Sequence, residues 1–161
     1  MNRASGILMP ITSLPSPYGI GTIGKAAYEF ADFLKKAGQS YWQILPVGPT
    51  SYGDSPYQSF STYAGNPYMI DLDMLQQDGL LKKKDYRNLN WGDDPEHVDY
   101  ARIYELRFRV LRIAFNNAQK GDLTDFNNFV RKNSAWLENY ALYMAVKKSF
   151  GMRAWTEWED E

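Results

Sequence analysis

A pair of carboxyl groups for glycoside chemistry has one member protonate the leaving oxygen while the other attacks the sugar or activates water. In this chain such a pair would have to come from positions such as Asp54, Asp71 and Asp73. Asp54 stands between Tyr52 and Tyr57 and is the only carboxylate in an aromatic setting. It reads as a hydrogen-bonding partner for turn amides or a sugar hydroxyl rather than as a nucleophile. Asp71 and Asp73 lie two apart at the end of the apolar run 68–72 and would share one face if a strand continued there. Nothing marks them as an acid and nucleophile. Serine-type catalysis has only His97 to serve as base, and it sits in the polar segment Pro95-Glu96-His97, which reads as surface. The absence of cysteine removes thiol catalysis, disulfides and Cys-zinc sites, and one histidine cannot make a His-rich metal site.

Gly19-Ile20-Gly21-Thr22-Ile23-Gly24 fits G-x-G-x-x-G between a strand and a helix. A dinucleotide site is disfavoured because 13–18, with two prolines, separates the strand from the first glycine. The acid expected at the end of the second strand is also missing, since 44–47 holds Ile, Leu, Pro and Val. The glycines read instead as a tight entry into a helix.

The stretch richest in recognition chemistry is 48–67, Gly-Pro-Thr-Ser-Tyr-Gly-Asp-Ser-Pro-Tyr-Gln-Ser-Phe-Ser-Thr-Tyr-Ala-Gly-Asn-Pro. It has neither a helical nor a strand period, and loops of that length in compact domains are functional or disordered. Tyr52, Tyr57, Phe60 and Tyr63 with scarce charge argue for order. Ring faces alternating with hydroxyls and amides suit a ligand with apolar faces and many hydroxyls, such as a sugar. The plainer reading is that the aromatics only pin the loop to the core.

Around this loop, 6–12 reads as a strand buried on both faces, with Pro10 at its end or at a bulge. Thr22 is the expected N-cap of a helix whose apolar stripe runs through Ile23, Ala27, Phe30 and Leu34 to a stop at Gly38. The run 41–47 is a second strand, which gives one βαβ unit and parallel pairing. Beyond the loop the pattern predicts a short helix near 74–81, a long one over 99–119 and further helices capped near Asp122 or Thr124 and at Ser134. Arg102, Arg107, Arg109 and Arg112 lie mostly off the long helix's stripe and read as a solvated face. At 161 residues and net charge −1, the chain fits one domain and an annex, with no electrostatic footprint for nucleic acid. Pro10 and Pro15 interrupt the N-terminal apolar residues, so neither a signal peptide nor a membrane span is expected and the cytoplasm is the default.

Several stretches together resemble the 4-α-glucanotransferases of glycoside hydrolase family 77, known as amylomaltases or disproportionating enzymes. They are Ser5-Gly6-Ile7-Leu8, 12–21, Tyr41-Trp42-Gln43-Ile44-Leu45-Pro46, the whole of 48–61, Ala64-Gly65-Asn66-Pro67, Val98-Asp99-Tyr100 and 136–145. Two departures stand out. Pro10 occupies a position where the family commonly has His, and Thr22 one where it has Asp. The resemblance implies an α/β fold, the N-terminal part of a (β/α)₈ barrel with its first two parallel strands and first helix, plus a mainly helical insertion. A complete barrel needs about 250 residues. It implies a division into 1–50 as the first β-α-β unit, 51–150 as substrate loop and helical insertion, and 151–161 as a truncated return toward the barrel. It also implies α-1,4-glucan partners, no cofactor, and catalytic carboxylates lying beyond Glu161, with none in this chain. Tyr57 is expected to stack on the sugar next to the scissile bond with Ser55 bonding near it. Tyr52 and Tyr100 match aromatics of an outer glucan site. The competing expectations are a non-catalytic carbohydrate-binding module and a fragment that complements a separate C-terminal chain.

Overall fold

The computed structural model describes residues 3–51 and 53–158, which form two compact units, Met1–Gly121 and Asp122–Glu161. In the first unit, β1 (Gly6–Leu8) pairs in parallel with β2 (Tyr41–Gln43), in register Gly6↔Tyr41, Ile7↔Trp42 and Leu8↔Gln43. The helix α1 (Lys25–Lys36) makes the crossover. The βαβ unit read from periodicity is therefore present, but both strands are shorter than expected. β1 stops before Pro10, which has no amide to donate. The chain then coils into a 3-10 turn, Ile11–Ser13. Ile7 and Leu8 are exposed in this chain, where β2 is the one described strand paired with β1. α1 packs beside the two-stranded sheet through Ala26, Ala27 and Phe30, in one cluster with Ile11, Leu14, Met69 and Trp42.

Thr22 does not cap α1. The N-cap is Gly24, in extended conformation and with no side-chain bond. The Thr22 hydroxyl donates instead to Asp71 Oδ2 at 2.6 Å. A Cβ on Gly24 would run into the same carboxylate, so that glycine is required by close approach rather than by phosphate binding. Gly38 ends the helix at φ 73°, as its position predicts.

The expected short helix is α2 (Leu72–Gln77), started by Asp71, whose Oδ1 accepts the Met74 amide at 2.9 Å. Asp71 and Asp73 thus sit at a helix start, not along a strand. Asp73 Oδ1 accepts two phenols, Tyr18 at 2.8 Å and Tyr86 at 2.6 Å. With their oxygens engaged in capping and in binding phenols, neither is placed to serve as an acid and nucleophile pair. The long helix is α3 (Tyr100–Ala118), with Asp99 accepting the Arg102 amide at its start. Its buried stripe is Ile103, Arg107, Val110 and Ala114. Leu72, Ile103 and Val110 have no exposed surface. Burying each contributes about 2 kcal/mol. Arg107 is the exception to the solvated-face reading, being fully buried.

The second unit holds α4 (Thr124–Lys132) and α5 (Ser134–Ser149). Asp122 leads into α4 by accepting the Thr124 amide at 2.8 Å. α5 is preceded by Asn133 as N-cap, so Ser134 is its first residue and not its cap. After α5 the chain turns at Gly151, φ 63°, and Trp158 stacks on Phe150 at 5.4 Å.

Candidate functional site

The loop 48–67 is closed at its base. The Asn66 amide donates to the Val47 carbonyl at 2.8 Å, and Asn66 Oδ1 accepts the Tyr68 amide at 2.9 Å. Pro67 then opens a 3-10 turn, Pro67–Met69, at the position where a missing N–H costs nothing. This turn is held from three sides. Val47 after β2 holds Asn66, the Ile23 amide before α1 donates to the Met69 carbonyl at 2.9 Å, and Arg107 Nη2 of α3 donates to the Tyr68 carbonyl at 2.7 Å.

Above that base the chain makes a short clamp. Thr50 and Ser59 form an antiparallel bridge, and the Ser51 amide donates to the Gln58 carbonyl at 3.0 Å. Two turns follow one another inside it. The Asp54 amide donates to the Ser51 carbonyl at 3.0 Å, with Gly53 at φ 83°, and the Gln58 amide donates to the Ser55 carbonyl at 3.1 Å across Pro56. The two turns send their side chains in different directions. Tyr57 stands at the tip, 72% exposed. Asp54 and Pro56 face a cavity of ≈ 220 Å³. Ser55 is half-buried, and its Oγ accepts the Tyr57 amide at 3.4 Å. Tyr52 lies outside the described residues.

The cavity is lined by Pro10, Ile11, Thr12 and Ser13 just past β1, by Leu45 and Pro46 just past β2, and by Thr50, Asp54, Asn66, Tyr68 and Tyr100. It therefore lies beyond the carboxyl ends of both parallel strands, where open and closed α/β sheets place their ligands. Burial pushes the Asp54 carboxyl above its ordinary range, and its nearest partner is the Thr50 hydroxyl at 3.4 Å. Burial raises the Tyr100 phenol, and the Asp54 charge raises it further. Burial also pushes Tyr68 up to about 12, with Asp54, Tyr104 and Tyr100 acting in the same direction. Of the residues anticipated for substrate contact, the structure brings Asp54 and Tyr100 to this cavity and leaves Tyr57 outward beside it.

Tyr68, which lines the cavity, and Arg107, which holds the Tyr68 carbonyl, were not anticipated. Tyr68 follows Asn66-Pro67, a cap with Pro at the first helical position, and that signature announced a turn here. Arg107 falls four residues after Ile103 and three before Val110, which is the spacing of one helix face. Its guanidinium lies 5.5 Å from the Trp91 ring centre. Burial lowers it to about 10 against the opposing charge of Asp71, and its Nε and Nη1 have no partner among the described residues. A larger hollow of ≈ 480 Å³ lies on the other side of the 66–70 segment. Its walls, including Ile23, Val47, Met69, Met74 and Leu75, are mostly apolar, and Asp71 in it is already engaged. The polar chemistry belongs to the smaller cavity.

Two parallel strands joined by a helix, with rings and hydroxyls gathered past their carboxyl ends, make an α/β segment with a polar cavity at its strand ends. Comparison with known proteins makes the class specific. The family model described as 4-alpha-glucanotransferase matches residues 9–161. The 4-alpha-glucanotransferase of Clostridium butyricum is 52% identical over 153 residues, covering 95% of this chain and 31% of its own length. That of Streptococcus pneumoniae is 53% identical over 159 residues, covering 98% and 32% respectively. The solved amylomaltase from Streptococcus agalactiae in complex with acarbose superimposes with TM-score 0.94 at 48% identity, covering 99% of this chain and 32% of that one. The chain belongs to the 4-alpha-glucanotransferase family, glycoside hydrolase family 77. It spans about a third of the length of the curated relatives it matches.

Proposed function

We propose that this chain works as the N-terminal portion of a 4-α-glucanotransferase that moves α-1,4-glucan segments between maltooligosaccharides. The observation that carries this reading is the match over residues 9–161 to the glucanotransferase family. The clamp 50–59 supports it, with the Tyr57 ring exposed beside a polar cavity at the strand ends. In this reading β1 and β2 are the first two strands of a (β/α)₈ barrel, and the loop is one wall of its cleft. The reaction proceeds with retention. A carboxylate attacks the anomeric carbon while an acid protonates the leaving O4. The 4-hydroxyl of an acceptor sugar then gives its proton back to that group and displaces the carboxylate. Those groups come from the part of the relatives' length that this chain does not span. Asp54, Asp71 and Asp73 do not supply them.

The chain's own contribution is binding. Tyr57 offers a ring face to the sugar beside the scissile bond, Ser55 a hydroxyl near it, and Tyr52 and Tyr100 an outer glucan site. A wall of rings also excludes water and so favours transfer over hydrolysis. Tyr57→Ala in the native protein that contains this chain should lower disproportionation of maltotriose by orders of magnitude. Near-normal glucose release by that variant would sink the role given to Tyr57. The isolated 161-residue chain should release no glucose from maltotriose.

A further inference from the structure

We infer that the cavity past the two strands is a built recess for the hydroxyl-bearing edge of one uncharged pyranose, with the Tyr68 hydroxyl as donor and the Asp54 carboxylate as acceptor. The inference rests on the glucan reading and adds Tyr68, and a defined partner for Asp54, to it.

Tyr68 is 7% exposed and lines the cavity. Its hydroxyl makes no hydrogen bond to the described residues and is not fully buried, while the rest of the residue is held firmly. Its amide is bonded to Asn66 Oδ1 and its carbonyl to Arg107. Its ring meets Phe108 edge-on at 6.2 Å and Tyr100 at 6.4 Å. The hydroxyl therefore cannot swing away to another acceptor without breaking that packing.

Asp54 carries the complementary function. It is a non-glycine residue at φ 52°, a conformation that disfavours a Cβ. Such conformations are uncommon outside glycine and cluster at ligand sites. Its carboxylate has one long contact, with Thr50 at 3.4 Å, and so retains most of its acceptor capacity. Ile11, Leu45, Pro56 and Met69 supply apolar wall for the ring's C–H face. No Lys or Arg lines the recess, so phosphorylated and acidic sugars meet an uncompensated carboxylate and are rejected. At ≈ 220 Å³ the recess is smaller than pockets for drug-sized ligands, about 300–1,000 Å³, and suits one ring.

The test is titration of the native protein that contains this chain with maltoheptaose, as wild type, Tyr68→Phe and Asp54→Asn, alongside transfer kinetics. Tyr68→Phe keeps every ring contact and should weaken binding about 3- to 10-fold. Asp54→Asn removes a charged acceptor and should weaken it about 10- to 100-fold. Both losses fall on KM rather than kcat, with unchanged unfolding midpoints. Wild-type affinity should fall as pH drops through the raised Asp54 carboxyl, and Asp54→Asn should abolish that limb. Wild-type affinity in both variants with the acid limb intact overturns the recess, as does a lowered midpoint with unchanged affinity. Tight maltoheptaose binding without any transfer would refute the transferase reading and leave the recess standing. Absence of binding by the wild type refutes both.

Discussion

Replacing Arg107 tests whether a buried charge is stabilising this fold or being tolerated by it. Arg107→Ala removes the bond from Nη2 to the Tyr68 carbonyl at 2.7 Å and leaves that acceptor buried, a cost of about 2 kcal/mol. It removes the stack on Trp91, about 1 kcal/mol, and two methylenes of buried stem, about 1.6 kcal/mol. Against these stands the desolvation of the guanidinium. Its fall from 12.5 to about 10 corresponds to about 3 kcal/mol, and two of its donors are unpartnered. The opposing effects nearly cancel for a substitution that keeps the stem. Arg107→Met should therefore lie within about 1 kcal/mol of wild type, and Arg107→Ala about 2 kcal/mol below the Met variant. The assay is urea unfolding of the native protein that contains this chain. The sign of the pH effect follows from a cation whose folded value is depressed. The cost is fully present below about pH 10 and is relieved as pH rises through 10 toward 12.5, so wild type gains on Arg107→Met over that window. A loss of 3 kcal/mol or more in Arg107→Met (about the whole desolvation cost) would refute the reasoning. It would mean that the charged bond outweighs desolvation.

Asp73→Ala strands two phenol hydroxyls and should cost about 2–5 kcal/mol by chemical denaturation. Burial first and Asp73 second raise both Tyr18 and Tyr86 above 10.0, so the stability they lend is complete below the ordinary phenol range and disappears as pH climbs through the raised values. Tyrosinate absorbance should show the two phenols ionising only as the protein unfolds, and ionisation at ordinary tyrosine pH would contradict this. Gly24→Ala pushes a methyl into the Asp71 carboxylate and should cost about 2–4 kcal/mol by disturbing its two bonds. Gly38→Ala meets open space at φ 73° and should cost only about 1 kcal/mol. Equal unfolding midpoints for the two would show that the close approach of Asp71 to Gly24 adds no cost beyond the conformational cost at Gly38.

The β-α-β unit was legible because its signals are local. A run of apolar residues, a 3.6-residue stripe and Gly38 each act within their own segment. The capping of α1 was not, because the partner that takes the Thr22 hydroxyl is Asp71, 49 residues away. The strand ends were over-extended because the apolar composition of 44–47 does not distinguish a strand from the wall of a cavity. In the site, aromatic and hydroxyl content marked the loop, yet sequence could not say that Tyr57 points out while Asp54, three residues earlier, points in. That division is made by Gly53, by the left-handed Asp54 and by Pro56 in two successive turns. Arg107 was misread because charge weighed more than spacing, although the spacing placed it between Ile103 and Val110.

The three bonds that hold the 66–69 turn come from segments distant along the chain, and that fixes how the loop is permitted to move. Opening at the base needs Val47, Ile23 and Arg107 to release together, so the amides of Ile23 and Asn66 should exchange with solvent only through a larger cooperative opening. The clamp above it is held by bonds within itself, among them Ser51 to Gln58 and Asp54 to Ser51. Its amides should exchange far sooner. On that exchange pattern the loop would move as a short arm on an anchored pivot, carrying Tyr57 together with the Thr50, Asp54 and Pro56 wall of the cavity while Asn66, Tyr68 and Met69 stay with the pivot.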